Sequence, residues 1–444
     1  MIQALQLLLS LSILVVLHEF GHYITAKIFG CRVEKFYLFM DWKFSLFKKK
    51  IGETEFGIGW LPLGGYVKIS GFIDESMDTD GVESPPENWE LRAKPAWQRL
   101  IVMLGGIVVN LILAWFIYSM ILIAWGEKYV SNENLVDGIS FSAAAESLGF
   151  VDGDKLISID DESIVEYDDL MIISSILFNG GERVLVERGG REVVVKINSE
   201  DINRIIKNLS ASDGAFVTPN YKWIVGSFIE GSVAEKHGIR KGDRILGIND
   251  IGTIFYTEEA RKTLLLNAGK NINILVERYF KGDTLYKHID VALDDSGMLG
   301  VNPNLDMYME SRSHTVLSSI PAGLTKTGDM ISMYWGQMKT IFNPKTGGYK
   351  HVGGVISIGK MFPNNWNWYA FWSMTALLSI ILAIMNLLPI PALDGGHALI
   401  AILEMISGKK IPIKVLMPLQ IVGMFILFAL LIYANGMDVL RLFN

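Results

Sequence analysis

Four stretches of the chain are apolar for longer than a globular core requires. The first is almost uninterrupted Leu, Ile and Val from Leu5 to Leu17 and continues to Ile28 and Phe29. The second covers Leu100 to Trp125, the third about Phe371 to Leu388, and the fourth about Val415 to Tyr433. A helix of roughly 20 apolar residues crosses a bilayer, so four transmembrane helices are predicted. The first stretch has no basic residue ahead of it and runs past any plausible cleavage point, which reads as a retained span rather than a signal peptide. Trp366, Trp368 and Trp372 form an aromatic belt at the start of the third.

Between the spans the pattern changes. Residues 31–96 are mixed and polar, with strand-like pieces at 36–39 and 55–60 and a turn-like Leu61-Pro62-Leu63-Gly64-Gly65-Tyr66-Val67. Gly-Gly after Pro predicts a hairpin or a close backbone approach. Asp74 to Glu90, rich in acids, Ser and Pro, reads as a mobile loop. The long middle region holds an internal repeat. Ser142 to Asp160 matches Gly231 to Asn249, with Gly149 against Gly238 and Asp154 against Asp243 at one constant offset. Each copy reads as a short helix, a Gly turn, Gly-Asp and an alternating strand. The two copies resemble PDZ domains, small folds that bind extended chain ends by strand addition. A pair of β domains without a peptide ligand is the plainer alternative. Thr315 to Phe342 reads as an outward-facing or interfacial helix, and the glycines at 347–348 and 353–354 as a loop returning to the membrane surface.

Composition supports a membrane protein. Half of the 444 residues are hydrophobic and the mean hydropathy is +0.32. A net charge of −7 leaves no basic footprint, so a nucleic-acid role has no support and no nucleic-acid partner is expected. The single cysteine, Cys31, rules out an internal disulfide. The basic residues set the orientation. None precedes the first span, ten lie between the first two (Arg32, Lys35, Lys43, Lys48, Lys49, Lys50, Lys68, Arg92, Lys94 and Arg99), and Lys409, Lys410 and Lys414 lie between the last two. The positive-inside rule places both connections in the cytoplasm, and the middle region and both termini outside.

The candidate chemistry lies inside the first span. His18-Glu19-Phe20-Gly21-His22 is an H-E-x-x-H pattern. Residues four apart share a helix face, so His18 and His22 could hold Zn²⁺ while Glu19 reaches a metal-bound water. Two packed helix histidines are the alternative, but ionisable groups are costly in a span and mark functional sites. A second signal ends the third span: Asn386, Pro389, Pro391, Asp394, Gly395, Gly396 and His397. Two prolines break the helix, and broken helix at membrane depth is tolerated where it lines a protein cavity. Asp394 supplies the carboxylate a two-histidine zinc site lacks; His397 competes for that place, and Cys31 is a more distant third. In the second span, Gly105 and Gly106 would admit a neighbouring helix, and Asn110 reads as a helix-packing hydrogen bonder.

Taken together, the H-E-F-G-H first span, the late N-x-x-P-x-P-x-L-D-G motif, the four spans and the two PDZ-like copies resemble the site-2 protease family of intramembrane zinc proteases. The resemblance covers nearly the whole chain. It implies a multi-span α-helical membrane protein with four transmembrane helices, a membrane-associated β-loop and two tandem PDZ-like α/β domains. It implies His18, His22 and Asp394 as zinc ligands, Glu19 as general base and Asn386 as a substrate-holding residue. Gly64 and Gly65 would lie in the β-loop that presents an edge to an unwound substrate. Where the family has G-P-x-x-N in the second span, this chain has Gly106-Ile107-Val108-Val109-Asn110, without the proline.

The domains expected are 1–30 (first helix), 31–98 (cytoplasmic-side loop), 99–126 (second helix), 127–215 and 216–304 (the PDZ-like pair), 305–365 (linker and amphipathic helix), 366–408 (third helix) and 409–444 (fourth). The implied activity is cleavage of single-span proteins in the bilayer, an anti-sigma factor or remnant signal peptides, with the PDZ pair screening substrates. The implied location is a bacterial inner membrane, with the PDZ pair and both termini periplasmic. The rival readings are a non-catalytic PDZ scaffold and a zinc-dependent carrier.

Overall fold

The computed structural model describes residues 1–72, 85–178, 181–208, 216–229, 231–249, 251–344, 349 and 352–443. The chain divides into two compact units. Residues 1–126, 313–335 and 350–444 form the first, and 127–312 with 336–349 the second.

In the first unit, four helices are long and apolar enough to cross a membrane: α1 (Ile2–Ile28), α2 (Ala96–Trp125), α4 (Trp368–Leu387) and most of α6 (Ile413–Phe443). Apolar sequence forms helices here because a helix satisfies its own backbone where no water can. The helix α3 (Val316–Phe342) is not among these four, and 316–335 belong to this unit. Its Ile320 carbonyl accepts from Trp115 Nε1 at 2.8 Å, so it packs on α2. On α1 the buried positions Leu7, Ser10, Leu14, His18, Gly21 and His22 recur at helical spacing and make one stripe. That stripe meets α2, where Gly21 and Gly105 are so close that a Cβ on Gly21 would lie 2.3 Å from the Gly105 carbonyl oxygen. This is the approach that small residues allow between membrane helices.

The loop after α1 is a sheet built from two bent strands, β1 (Val33–Ile51) and β2 (Thr54–Ile69). Lys35, Phe36, Tyr37 and Leu38 each pair twice, with Gly65–Lys68 on one side and Glu55–Ile58 on the other. The outer arm of β1, from Phe47 to Ile51, then pairs with Thr54–Ile58. The sheet therefore has four rungs, and 65–69 is one of its edges. The hairpin expected at Leu61–Val67 is not there. The tight turn falls at Gly52-Glu53, between the paired Ile51 and Thr54, with Gly52 at φ +63°. Gly65 instead serves the close approach, since a Cβ there would lie 2.7 Å from both the Tyr37 carbonyl oxygen and Val15 Cγ1. Most of the acidic stretch expected as a mobile loop, residues 73–84, lies outside the described residues, as do Gly347 and Gly348. Its far end is pinned, because Arg32 N–H donates to the Trp89 carbonyl and Leu91 N–H to that of Ser70.

A short helix was not foreseen after the prolines. The third apolar stretch stops at Leu387, and Asp394 opens a separate helix, α5 (Asp394–Ser407). The turn between them includes Ala392 at φ +111°, a strained conformation for a residue with a side chain. A Cβ on Gly395 would lie 2.3 Å from the Leu387 carbonyl oxygen, so only glycine lets the new helix start against the old one.

The repeat read in the sequence is a repeat in three dimensions. In the second unit, one four-stranded sheet runs Glu162–Ser163, Lys155–Ile159, Arg183–Arg188, Arg191–Lys196. The other runs Ile251–Gly252, Arg244–Ile248, Asn271–Phe280, Asp283–Ala292, in the same order of elements. Each copy has its own apolar core and a four-residue helix whose Ser cap, Ser142 or Ser232, accepts a backbone N–H. The paired aspartates are equivalent too: Asp154 takes two hydrogen bonds from Arg188, and Asp243 two from Arg278. Asp243 is 1 % exposed and Arg278 10 %, whereas Arg188 is 34 % exposed. Asp154 is as buried as Asp243, at 0 % exposed, so either Arg→Ala change strands a carboxylate. Arg278→Ala is expected to cost about 3–5 kcal/mol, and Arg188→Ala less only because its more exposed site lets water reach the carboxylate. Thermal unfolding of the two variants tests this; equal losses would contradict the burial argument.

Candidate metal centre

Elements far apart in sequence converge on one cavity of the first unit, with a volume of about 720 Å³. Its walls include His18, Glu19 and His22 of α1, Met103 of α2, Gly65 to Ile69 of β2, Asn386 of α4, and Asp394 and His397 of α5. Six of the seven residues expected at the site therefore share one space. The seventh, Gly64, is not part of this lining; it sits at φ +103° beside Gly65, with open space where a side chain would be.

Within the cavity His18, His22 and Asp394 form a tight group. Asp394 Oδ2 stands 3.2 Å from Nε2 of each histidine, and the two Nε2 atoms are 3.4 Å apart. Oδ2 is buried, yet no hydrogen bond satisfies it. Ligand bonds of about 2.0–2.2 Å at tetrahedral angles place donor atoms roughly 3.3 Å apart, so this triangle has the dimensions of one face of a zinc tetrahedron. The donor set, two imidazoles and a carboxylate, is that of an open catalytic zinc site. Zinc fits these residues.

The groups behind the donors are equally specific. His22 Nδ1 is 2.8 Å from the Val102 carbonyl oxygen, to which it donates, and this leaves the Nε2 lone pair facing Asp394. His18 Nδ1 is 3.2 Å from the Asn110 amide, and Asn110 is fully buried. Gly106 lies between them on α2, where a Cβ would fall 2.4 Å from His22 Nε2 and 2.6 Å from His18 Cε1. Asn386 Nδ2 approaches His18 Nε2 to 3.1 Å from the cavity side. His397 lies in the same cavity with its ring 4.8 Å from that of Phe72, and it is outside the three-donor group. Cys31 is buried among apolar neighbours and is also outside it. The contact of Asn110 with His18 is the one that helix-packing logic missed. The spacing of four from Gly106 to Asn110 was the available signal.

The family model described as Peptidase family M50 matches residues 6–430. The chain belongs to that family. Its relatives include a protein from Clostridium perfringens named as a zinc metalloprotease, 29% identical over 98% of this chain and 97% of that one. The regulator of sigma E protease of Haemophilus influenzae is 26% identical over 98% of both chains. A Xylella fastidiosa protein named as a zinc metalloprotease is 27% identical, also over 98% of both. This M50 chain is thus a zinc metalloprotease with, among the described residues, four helices long and apolar enough to cross a membrane.

Proposed function

We propose that this chain is an intramembrane endopeptidase in which His18, His22 and Asp394 hold the zinc, Glu19 is the general base and Asn386 steadies the substrate. The observation that carries the reading is the three-donor triangle opening into a cavity bordered by the edge of a sheet. Zinc supplies Lewis acidity and lowers the pKa of a bound water towards about 7. Glu19, on the wall of the same cavity, would take that proton and return it to the leaving amine. The Asn386 amide N–H, beside His18 Nε2, donates to the carbonyl oxygen of the bond being cut as charge builds there.

A transmembrane helix hides its peptide bonds in its own hydrogen bonds, so the substrate must unwind before cleavage. The edge segment Gly65–Ile69 offers replacement bonds by strand addition, and it borders the same cavity as Glu19. Single-span membrane proteins are therefore the proposed substrates, an anti-sigma factor or remnant signal peptides among them. In the second unit the two repeated modules are read as PDZ-like domains that screen substrates, with peptide binding at a strand edge as their mode of recognition. The charge pattern supports an inner-membrane protein whose modules and termini face the periplasm. The domain boundaries given above are proposed on the same grounds.

The test is cleavage of a single-span substrate by the purified, reconstituted chain. A strong zinc chelator is expected to abolish cleavage, and stoichiometric Zn²⁺ to restore it. Cleavage that survives complete zinc removal would overturn the metal-centre reading. A non-catalytic scaffold predicts that wild type never cleaves yet still captures chain ends.

A further inference from the structure

Three positions on one stripe of α2 back the two histidines: the Val102 carbonyl against His22 Nδ1, Gly106 against both rings, and the Asn110 amide against His18 Nδ1. They are four residues apart, so they face α1 together. Asn110 is 0 % exposed, and its backbone is pinned from α4, where Ser379 Oγ donates to the Asn110 carbonyl at 2.7 Å. One end of its side chain, Oδ1, is buried without any hydrogen-bond partner.

The two ends of an amide exchange by a half-turn that leaves its outline unchanged. With Nδ2 towards the imidazole, His18 Nδ1 would have to accept, its proton would sit on Nε2, and Nε2 would have no lone pair for a metal. With Oδ1 towards the imidazole, Nδ1–H donates to it and Nε2 is free, while Nδ2 takes the unpartnered position that Oδ1 leaves, so it is the lone pair needed at Nε2 that decides between the two. His22 already shows this arrangement with Val102. We propose that Asn110 is a positioning residue for the metal site: its side-chain carbonyl accepts from His18 Nδ1–H and so fixes the tautomer that presents Nε2. The inference rests on the zinc reading above and gives a buried residue of the second span a specific task beyond helix packing.

The experiment measures zinc affinity of the purified full-length chain by competition with a chromophoric chelator, for wild type, Asn110→Ala, Asn110→Leu and Asn110→Asp. Loss of such an outer partner typically weakens a metal site 10- to 100-fold, and that is the loss expected for Ala and Leu. Asp keeps both the size and the acceptor, so it should bind zinc at least as tightly as wild type and give the same cobalt d–d spectrum after Co²⁺ substitution. Affinity unchanged in Asn110→Leu would overturn the proposal. So would equal losses in Asp and Leu, which would mean that only the amide's shape matters. Should Leu fail to fold, the contrast between Ala and Asp carries the same decision. If wild type itself holds no zinc, the metal-centre reading fails and the inference with it; zinc in wild type with no effect at Asn110 sinks the inference alone.

Discussion

Glu19→Gln is expected to abolish proteolysis while zinc stays bound. Glu19 sits between the two histidines in sequence but outside the three-donor group, and it lines the cavity beside the edge strand. Its Cγ is 3.5 Å from where a Cβ on Gly65 would lie, so the side chain borders the edge strand. The amide of Gln keeps the volume and loses the proton acceptor. General acid–base groups contribute about 10²–10⁴-fold, and a base that must also hold the attacking water belongs at the upper end. Single-turnover cleavage in proteoliposomes, beside the zinc content of the same preparation, is the measurement. Wild-type rates in Glu19→Gln would remove Glu19 from the chemistry. Loss of zinc in the variant would instead make it a ligand.

Gly106→Ala is expected to damage the centre nearly as badly without changing any charged group. The new methyl would meet His22 Nε2 at 2.4 Å and two atoms of the His18 ring at 2.6 and 2.7 Å. Imidazoles are rigid, so α1 and α2 must part by about 1 Å to recover ordinary contact distances. Metal sites tolerate ligand-distance errors of only about 0.2 Å. Zinc affinity should therefore fall on the order of 100-fold, beyond the roughly 1–3 kcal/mol that overpacking usually costs the fold. Gly328→Ala is the matched control, since a Cβ there meets nothing within 4 Å. Normal zinc binding and cleavage in Gly106→Ala would show that the two helices yield more easily than this packing allows.

Much of the site was legible before any coordinates, for a physical reason. Covalent spacing puts His18, Glu19 and His22 on one helical turn, and a helix needs nothing else to hold that geometry. The prolines and glycines around Asp394 marked a break at membrane depth, which bilayers permit only around a protein-lined cavity. Long-range partners carried weaker signals. Asn110 read as packing because an asparagine in a span has many possible neighbours, and only the fold chose His18 Nδ1 at 3.2 Å. The Gly64-Gly65 pair left a hairpin and a close backbone approach both open, because glycine serves turns and close contacts alike. Residue Gly65 turned out to be pressed against Tyr37 and Val15.

By itself, then, the sequence determined the number and placement of the apolar spans, the His-Glu-Phe-Gly-His turn and the internal repeat, since each is local or periodic and survives without neighbours. Tertiary structure alone decided that Asp394 rather than His397 joins the histidines, where the sheet makes its tight turn and which α2 residues stand behind the two rings. Those choices depend on how closely α1, α2 and the start of α5 approach one another, and that distance is set by packing across hundreds of residues rather than by any one stretch of chain.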